Sequence, residues 1–302
     1  MQRKIAISGA SGLIGTRLTE ALRKRGDAVF RLVRRRTDDP SEVSWDPGAG
    51  EIDAARLEGL DAVVHLAGKP LDEERWTPEI KQAIVASRVE GTTLVSRTLA
   101  GLEAPPRVLV SASATDYYDD SDVPIGEREG RPGKGFVSEM CQAWEAATEP
   151  ARRAGIRVVQ IRIPSVLAAS GHSLLGALLP LFRRGLGPVL ASGRQRMCFV
   201  ALDDMVRAIQ HILECDGLSG PVNVLAPEVV TNRHFARTLG RVLHRPVFLR
   251  IPASVLRLAM GEVAGAIAGG DAWLRPDKLL ASGFHFVYPD LASAVRHELF
   301  EV

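Results

Sequence analysis

Three glycines close behind an apolar run could hold an anion. Ile5-Ala6-Ile7-Ser8 leads into Gly9-Ala10-Ser11-Gly12-Leu13-Ile14-Gly15, and a helix-forming stretch, Thr16 to Lys24, follows. Glycine lets a backbone turn sharply and approach a ligand closely. The free N–H groups of a helix start favour negative charge. This order predicts a phosphate cradle in which Gly9, Gly12 and Gly15 come close to a pyrophosphate, helped by backbone contacts from Ser11, Leu13 and Ile14. The spacing is Gly-x-x-Gly-x-x-Gly, a variant of the common dinucleotide fingerprint G-x-G-x-x-G. A second strand, Ala28 to Val33, then runs into Arg34-Arg35-Arg36. Where an NAD site places a carboxylate on the ribose hydroxyls, this chain has arginines. Guanidinium forks suit a 2′-phosphate, bidentately and with charge assistance. Arg34 and Arg35 therefore predict NADP(H) as the cofactor.

The elements needed to position these groups are legible further along. Asp61 to Gly68 is an apolar strand ending in small residues, and Ala67 and Gly68 are expected to line the adenosine side of the cleft. A helix is expected from about Pro78 to Leu99, a strand over Arg107 to Ser111, a helix over Phe136 to Ala154 and a strand over Ile156 to Ile161. This βαβ alternation predicts an α/β fold, a doubly wound Rossmann parallel sheet with right-handed crossovers and a smaller C-terminal substrate cap. The expected division is a dinucleotide-binding domain over 1–165, completed by about 196–226, with the cap formed from 166–195 and 227–302. Asp203 and Asp204 open a helix, and capping of its free N–H groups is the expected role. The proline-bounded, nearly apolar stretch Ile251 to Ala268 is too short and glycine-broken to span a bilayer, so it is expected to be a buried part of the cap.

Composition fits a globular enzyme, with 46% hydrophobic and 25% charged residues. A net charge of +2 gives no reason to expect nucleic acid or an anionic membrane as partner. A strand begins almost at the N-terminus, so no signal peptide is expected. Cys141, Cys198 and Cys215 are scattered and odd in number, which predicts reduced thiols, a cytoplasmic location and no metal site. His65 and His211 have no suitably spaced partner for a ligand role. Arg183, Arg184, Arg194 and Arg196 suggest an anionic small-molecule substrate, phosphorylated or nucleotide-linked, or else a solvated basic face. The oligomeric state is left open.

Several motifs together carry a resemblance. They are the glycine turn and Leu66-Ala67-Gly68, Arg75-Trp76-Thr77, and Ser87-Arg88 before Gly91-Thr92. Next come Ser111-Ala112-Ser113-Ala114, Trp144-Glu145 and Gly193-Arg194-Gln195. Leu243-His244-Arg245-Pro246 and Gly283-Phe284 with Tyr288-Pro289 complete the set. Over essentially its whole length the chain resembles the atypical extended short-chain dehydrogenase/reductases known as YfcH-like epimerase-family proteins. These join an NAD-dependent epimerase/dehydratase N-terminal domain to a C-terminal domain of their own. The resemblance implies an NADP(H)-binding oxidoreductase fold, and adds Ser87 and Ser111 to the cofactor contacts.

It also frames the catalytic question. Related enzymes use a Ser, a Tyr and a Lys, the last two spaced Tyr-x-x-x-Lys. The resemblance makes Ser113 the serine that polarises a carbonyl. At the Tyr-x-x-x-Lys position the chain reads Phe136-Val137-Ser138-Glu139-Met140, so neither partner is present. Tyr117 or Tyr118, in the loop after Ser113, is the candidate replacement acid. Asp116 and Asp119 stand where the family usually has glycines, and a carboxylate disfavours a neighbouring tyrosinate. Ala201 replaces a histidine usual in the family. Deprotonating an unassisted tyrosine at pH 7 costs roughly 4 kcal/mol, so the chain is better suited to donate a proton than to accept one. The expectation is NADPH-dependent reduction of a carbonyl in an unknown substrate. The alternatives are a non-catalytic NADPH-binding sensor or scaffold, and a nucleotide-sugar epimerase. A pocket lined by arginine and polar groups favours an enzyme, and one filled by Trp76 and the tyrosines favours a sensor.

Overall fold

The computed structural model describes residues 2–71, 75–170, 173–268 and 271–300, without the side chains of 260 and 266–268. The first half alternates strand and helix. It runs β1 (Lys4–Ser8), α1 (Leu13–Lys24), β2 (Ala28–Val33), β3 (Glu42–Asp46), β4 (Glu51–Ile52), β5 (Ala62–His65), α2 (Pro78–Ala100) and β6 (Val108–Ala114). There follow β7 (Ser121–Ile125), α3 (Phe136–Ala146), α4 (Glu149–Arg153), β8 (Arg157–Ile163), α5 (Leu174–Arg183), α6 (Leu202–Glu214), α7 (Asn232–Val242) and α8 (Ala253–Met260).

An eight-stranded sheet has the order Gly220–Asn223, β8, β6, β5, β1, β2, β3, β4, and only β4 runs antiparallel to its neighbour. Alternation along β1 explains the two covered faces. Ile5 and Ile7 pack with Leu18 and Leu22 of α1 and with Met205, Ile209 and Ile212 of α6. Ala6, between them, faces Val95 and Leu99 of α2 and Ala151 of α4. The single helix expected over 136–154 is two, because Pro150 has no N–H to continue the first and serves instead as an early residue of the second.

Register sets the functional end of the sheet. Ser113 pairs with Arg162 across β6 and β8, and Arg162 with Asn223 across the next pair. One row thus brings a hydroxyl, a guanidinium and an amide to the carboxyl ends of three strands, where ligands bind in open α/β sheets.

α5, α7 and the helix Leu291–Phe300 form a second core, with Leu179 and Phe182, Phe235 and Leu239, and Leu291 and Val295. Two expectations are corrected here. Asp203 and Asp204 do not cap α6, whose start has no side-chain cap bond. Asp203 instead accepts from Arg17 Nε at 2.9 Å and pairs with His297 Nε2 at 3.0 Å. Asp204, fully buried, accepts from the N–H groups of Val287 and Tyr288. The apolar stretch from Ile251 is not a buried element throughout: over residues 253–259 of α8 Leu256 alone is buried, and Val255 and Leu258 face outward. Among the described residues no helix is long and apolar enough to cross a membrane.

Candidate cofactor cradle and active site

The cradle is built by backbone proximity. Gly9 has φ +67°, and a Cβ there would stand 2.9 Å from Ala67 N. A Cβ on Gly15 would stand 2.1 Å from Gly9 O, so only glycine allows α1 to start this close to the turn. Gly12 is the N-cap of α1 and supplies no side-chain cap, which leaves the first N–H groups, Leu13 and Ile14 among them, without that partner. Ser8, at the end of β1, fastens the opposite wall. Its hydroxyl accepts from Leu66 N at 3.1 Å and Ala67 N at 3.3 Å and meets His65 Nδ1 at 2.7 Å. Burial pulls the His65 pKa down to about 4, so this histidine is a neutral structural group.

Past the end of β2, Arg34 and Arg35 are exposed. Arg35 donates to Glu42 Oε2 and Arg31 to Glu42 Oε1, both at 2.7 Å. Glu42 is 1% exposed and so fixes the direction of Arg35, while Arg34 has no ion-pair partner among the described residues. Sequence reasoning did not single out Glu42, because it comes from the next strand.

Arg88 of α2 was quoted only as part of a motif, yet it is the most telling group in the cleft wall. It is buried, and its NH1 donates to the carbonyls of Lys69 at 2.8 Å and Ile84 at 3.3 Å. Its Nε has no hydrogen-bond partner, and among the described residues no carboxylate pairs with it. Burial lowers its pKa to about 10. The guanidinium lies 5.0 Å from the Trp144 ring and 3.4 Å from where a Gly68 Cβ would be. A buried cation without a counter-charge is costly, and an anionic group bound beside Gly68 would supply one. The glycine cradle and Arg88 together fit a phosphate-bearing dinucleotide. Ser87 bonds to Lys69 N and Ile84 O, shaping the same turn. Ser111 is fully buried inside the sheet.

At the other end of the cleft, Ser113 Oγ donates to Glu145 Oε1 at 2.7 Å. Glu145 also receives Arg162 bidentately, through Nε and NH2 at 2.8 Å each. The Arg162 side chain is 3% exposed; burial works against its charge, and the Glu145 carboxylate more than offsets this, leaving its pKa raised. Its guanidinium lies 3.5 Å from the Tyr117 ring centroid and 4.6 Å from that of Tyr118. Asn223 donates Nδ2 to Arg275 O, which turns its Oδ1 to accept the Tyr118 hydroxyl at 2.7 Å. Burial pushes the Tyr118 pKa up to about 12. Tyr117 sits on Arg162 and does not line the cleft, whereas Tyr118 does. Asp116 lines it too, bonded to no other side chain among the described residues; burial raises its pKa, against the smaller pull of its own backbone N–H. The sequence gives no role to Glu145, Arg162 or Asn223, and to Asp116 only that of opposing a tyrosinate, since their meaning depends on register and loop path.

The cleft has a volume of about 720 Å³, and Trp76, Arg88, Ser113, Asp116 and Phe136 are among its walls. Neither Trp76 nor the tyrosines fill it. Of the four arginines suggested for an anionic substrate, only Arg196 lines the cleft, and it is paired with Asp122 and Asp271.

Fold and site together define a doubly wound α/β protein whose glycine turn has the shape of a dinucleotide cradle. Family comparison is more specific. Residues 5–224 match the NAD dependent epimerase/dehydratase family, and residues 251–298 match a domain of unknown function, DUF1731. The chain belongs to the epimerase-family proteins that combine these two parts. It is 39% identical over 295 residues to Epimerase family protein Mb2239 of Mycobacterium bovis, covering 97% of this chain and 96% of that one. It is 32% identical over 306 residues to human Epimerase family protein SDR39U1, covering 97% and 98%. The crystal structure of the human protein (isoform 2), with NADPH, matches with a TM-score of 0.90 at 29% identity, over 99% of this chain and 100% of that one. A nucleoside-diphosphate sugar epimerase from Corynebacterium glutamicum matches with a TM-score of 0.81 at 30% identity, over 99% of this chain and 58% of that one.

Proposed function

We propose that this protein is an NADP(H)-dependent oxidoreductase that reduces a carbonyl in a small molecule. The observation that carries this reading is an open cleft of mixed polar and apolar lining at the carboxyl ends of β6 and β8, beside a glycine cradle and a buried guanidinium that pairs with no carboxylate among the described residues. The human relative solved with NADPH supports the choice of nucleotide, as do Arg34 and Arg35 at the end of β2. In this reading the reduced nicotinamide supplies hydride to the carbonyl carbon, and the oxygen takes a proton to give the alcohol. Ser113, whose hydroxyl reaches the oxygen by turning from Glu145, polarises the carbonyl. Asp116 is the favoured proton donor, because its carboxyl faces the cleft and burial favours its protonated form. The Tyr118 proton is engaged by Asn223.

Epimerisation through a keto intermediate also needs a base, a role open to the Asp116 carboxylate but not to Tyr118. With a pKa of about 12, Tyr118 costs about 7 kcal/mol to deprotonate at pH 7. A sensor with a filled pocket is disfavoured by the open cleft.

The test is a fluorescence titration with NADPH and NADH side by side, followed by NADPH consumption over a panel of carbonyl compounds. NADPH is expected to bind at least tenfold more tightly, about 1.4 kcal/mol. The double change Arg34→Gln and Arg35→Gln should remove that preference. Failure to bind either nucleotide would refute the reading.

A further inference from the structure

The net charge of +2 conceals a strong segregation. Segments 173–202 and 229–261 hold ten arginines and no Asp, Glu or Lys. Of the chain's 38 basic and 36 acidic residues, this leaves 28 and 36 elsewhere, a remainder of −8. Only Arg196 of the ten is paired with carboxylates, and the other nine are exposed without an ion-pair partner among the described residues.

The fold gathers these arginines on one lobe. Arg233, Arg237 and Arg241 recur every fourth residue of α7, hence along one face. Arg245 Nε donates to the carbonyl of Arg183 at 2.9 Å, joining the loop after α7 to the end of α5. Arg250 Nε donates to Ala191 O, and Arg233 N to Gly193 O, both at 2.9 Å, which places Arg194 beside them. The parallel pairing of Pro188–Leu190 with Leu249–Ile251 holds the two segments edge to edge.

Apolar side chains stand out from the same lobe. Phe248, 70% exposed, and Leu249 lie between Arg245 and Arg250, and Leu181 and Leu186 flank Arg183 and Arg184. Arginine alone would suit any polyanion. Exposed leucines gain nothing on a phosphate backbone, but they gain free energy by entering the headgroup region of a bilayer, where arginines meet anionic lipids. The acidic remainder of the chain would turn the molecule so that this lobe faces the surface.

We propose that the lobe formed by α5, α7 and the Leu249–Ile251 strand is a docking surface for anionic lipid bilayers, binding peripherally through its arginines and Phe248.

Flotation of the full chain with vesicles tests this. Vesicles of phosphatidylcholine containing about a third phosphatidylglycerol should carry the protein at low salt, pure phosphatidylcholine should not, and high salt should release it. An arginine near such a surface contributes about fivefold in partition. The triple variant R237Q/R241Q/R245Q should therefore bind roughly a hundredfold more weakly, and F248S should also weaken binding. All four residues are exposed, and an unchanged urea midpoint will show that the fold is intact. Absence of binding to the anionic vesicles, equal binding to neutral ones, or unchanged binding by the triple variant would overturn the proposal. So would a protein that retards a DNA duplex and ignores the vesicles.

Discussion

Removing the Glu145 carboxylate should cost more than any surface pair in this protein, and the size of the effect follows from its surroundings. Glu145 is the sole carboxylate paired with Arg162 among the described residues, and it also accepts the Ser113 hydroxyl. Glu145→Met would strand a guanidinium whose side chain is 3% exposed. The stacking of Arg162 on Tyr117 and Tyr118 would remain, contributing about 0.5–2 kcal/mol. Breaking a buried pair from one side typically costs about 3–5 kcal/mol. The stranding outweighs the stacking, so a loss of about 3 kcal/mol or more is expected in urea unfolding followed by tryptophan fluorescence. The double variant E145M/R162M removes both charges and should lie at least about 2 kcal/mol above the value expected from adding the single changes. A single-variant loss under about 1 kcal/mol would refute the reasoning, because it would mean that water or the two rings already satisfy Arg162.

Two further predictions concern the cleft. Gly15→Ala would push a Cβ to 2.1 Å from the carbonyl of Gly9, backbone that cannot step aside. It should abolish NADPH binding in the fluorescence titration and destabilise the fold by about 1–3 kcal/mol. Asp116 has a folded-state pKa raised by burial, so its contribution to stability falls as pH rises through that value. Asp116→Asn should therefore be more stable than the parent at pH 8, with the difference closing toward pH 4. A constant difference across that range in thermal unfolding would show that the carboxyl is solvated.

The glycine turn, the order of βαβ units and the arginines after β2 were legible because each is local: spacing and strand ends carry the signal within a few dozen residues. The wall around Ser113 was not. Arg162 and Asn223 gain meaning only when parallel pairing brings them into the row of Ser113, and Glu145 only when α3 packs over that row. Asp203 and Asp204 misled for a related reason. A helix start offers N–H groups to any nearby carboxylate, but Arg17 and the backbone at Val287 and Tyr288 hold these two more firmly. The stretch from Ile251 reads as interior because it is apolar. Composition cannot say which side of a short helix meets a core, and in α8 Leu256 does while Val255 and Leu258 do not.

The bond from Arg17 to Asp203, and from Asp203 to His297, has a consequence for the order of events during synthesis. α1 is made before every strand of the sheet except β1, yet it is tied through α6 to the helix Leu291–Phe300. Glu298 of that helix also accepts from Leu202 N, at the start of α6. A nascent chain can assemble the early strands while it is still being extended. Asp203 must wait for His297, and Leu202 for Glu298, until residues 291–300 have been made. The clasp on α1 thus forms after the sheet it packs on, and a chain cut short before Leu291 would leave α1 and the start of α6 without it.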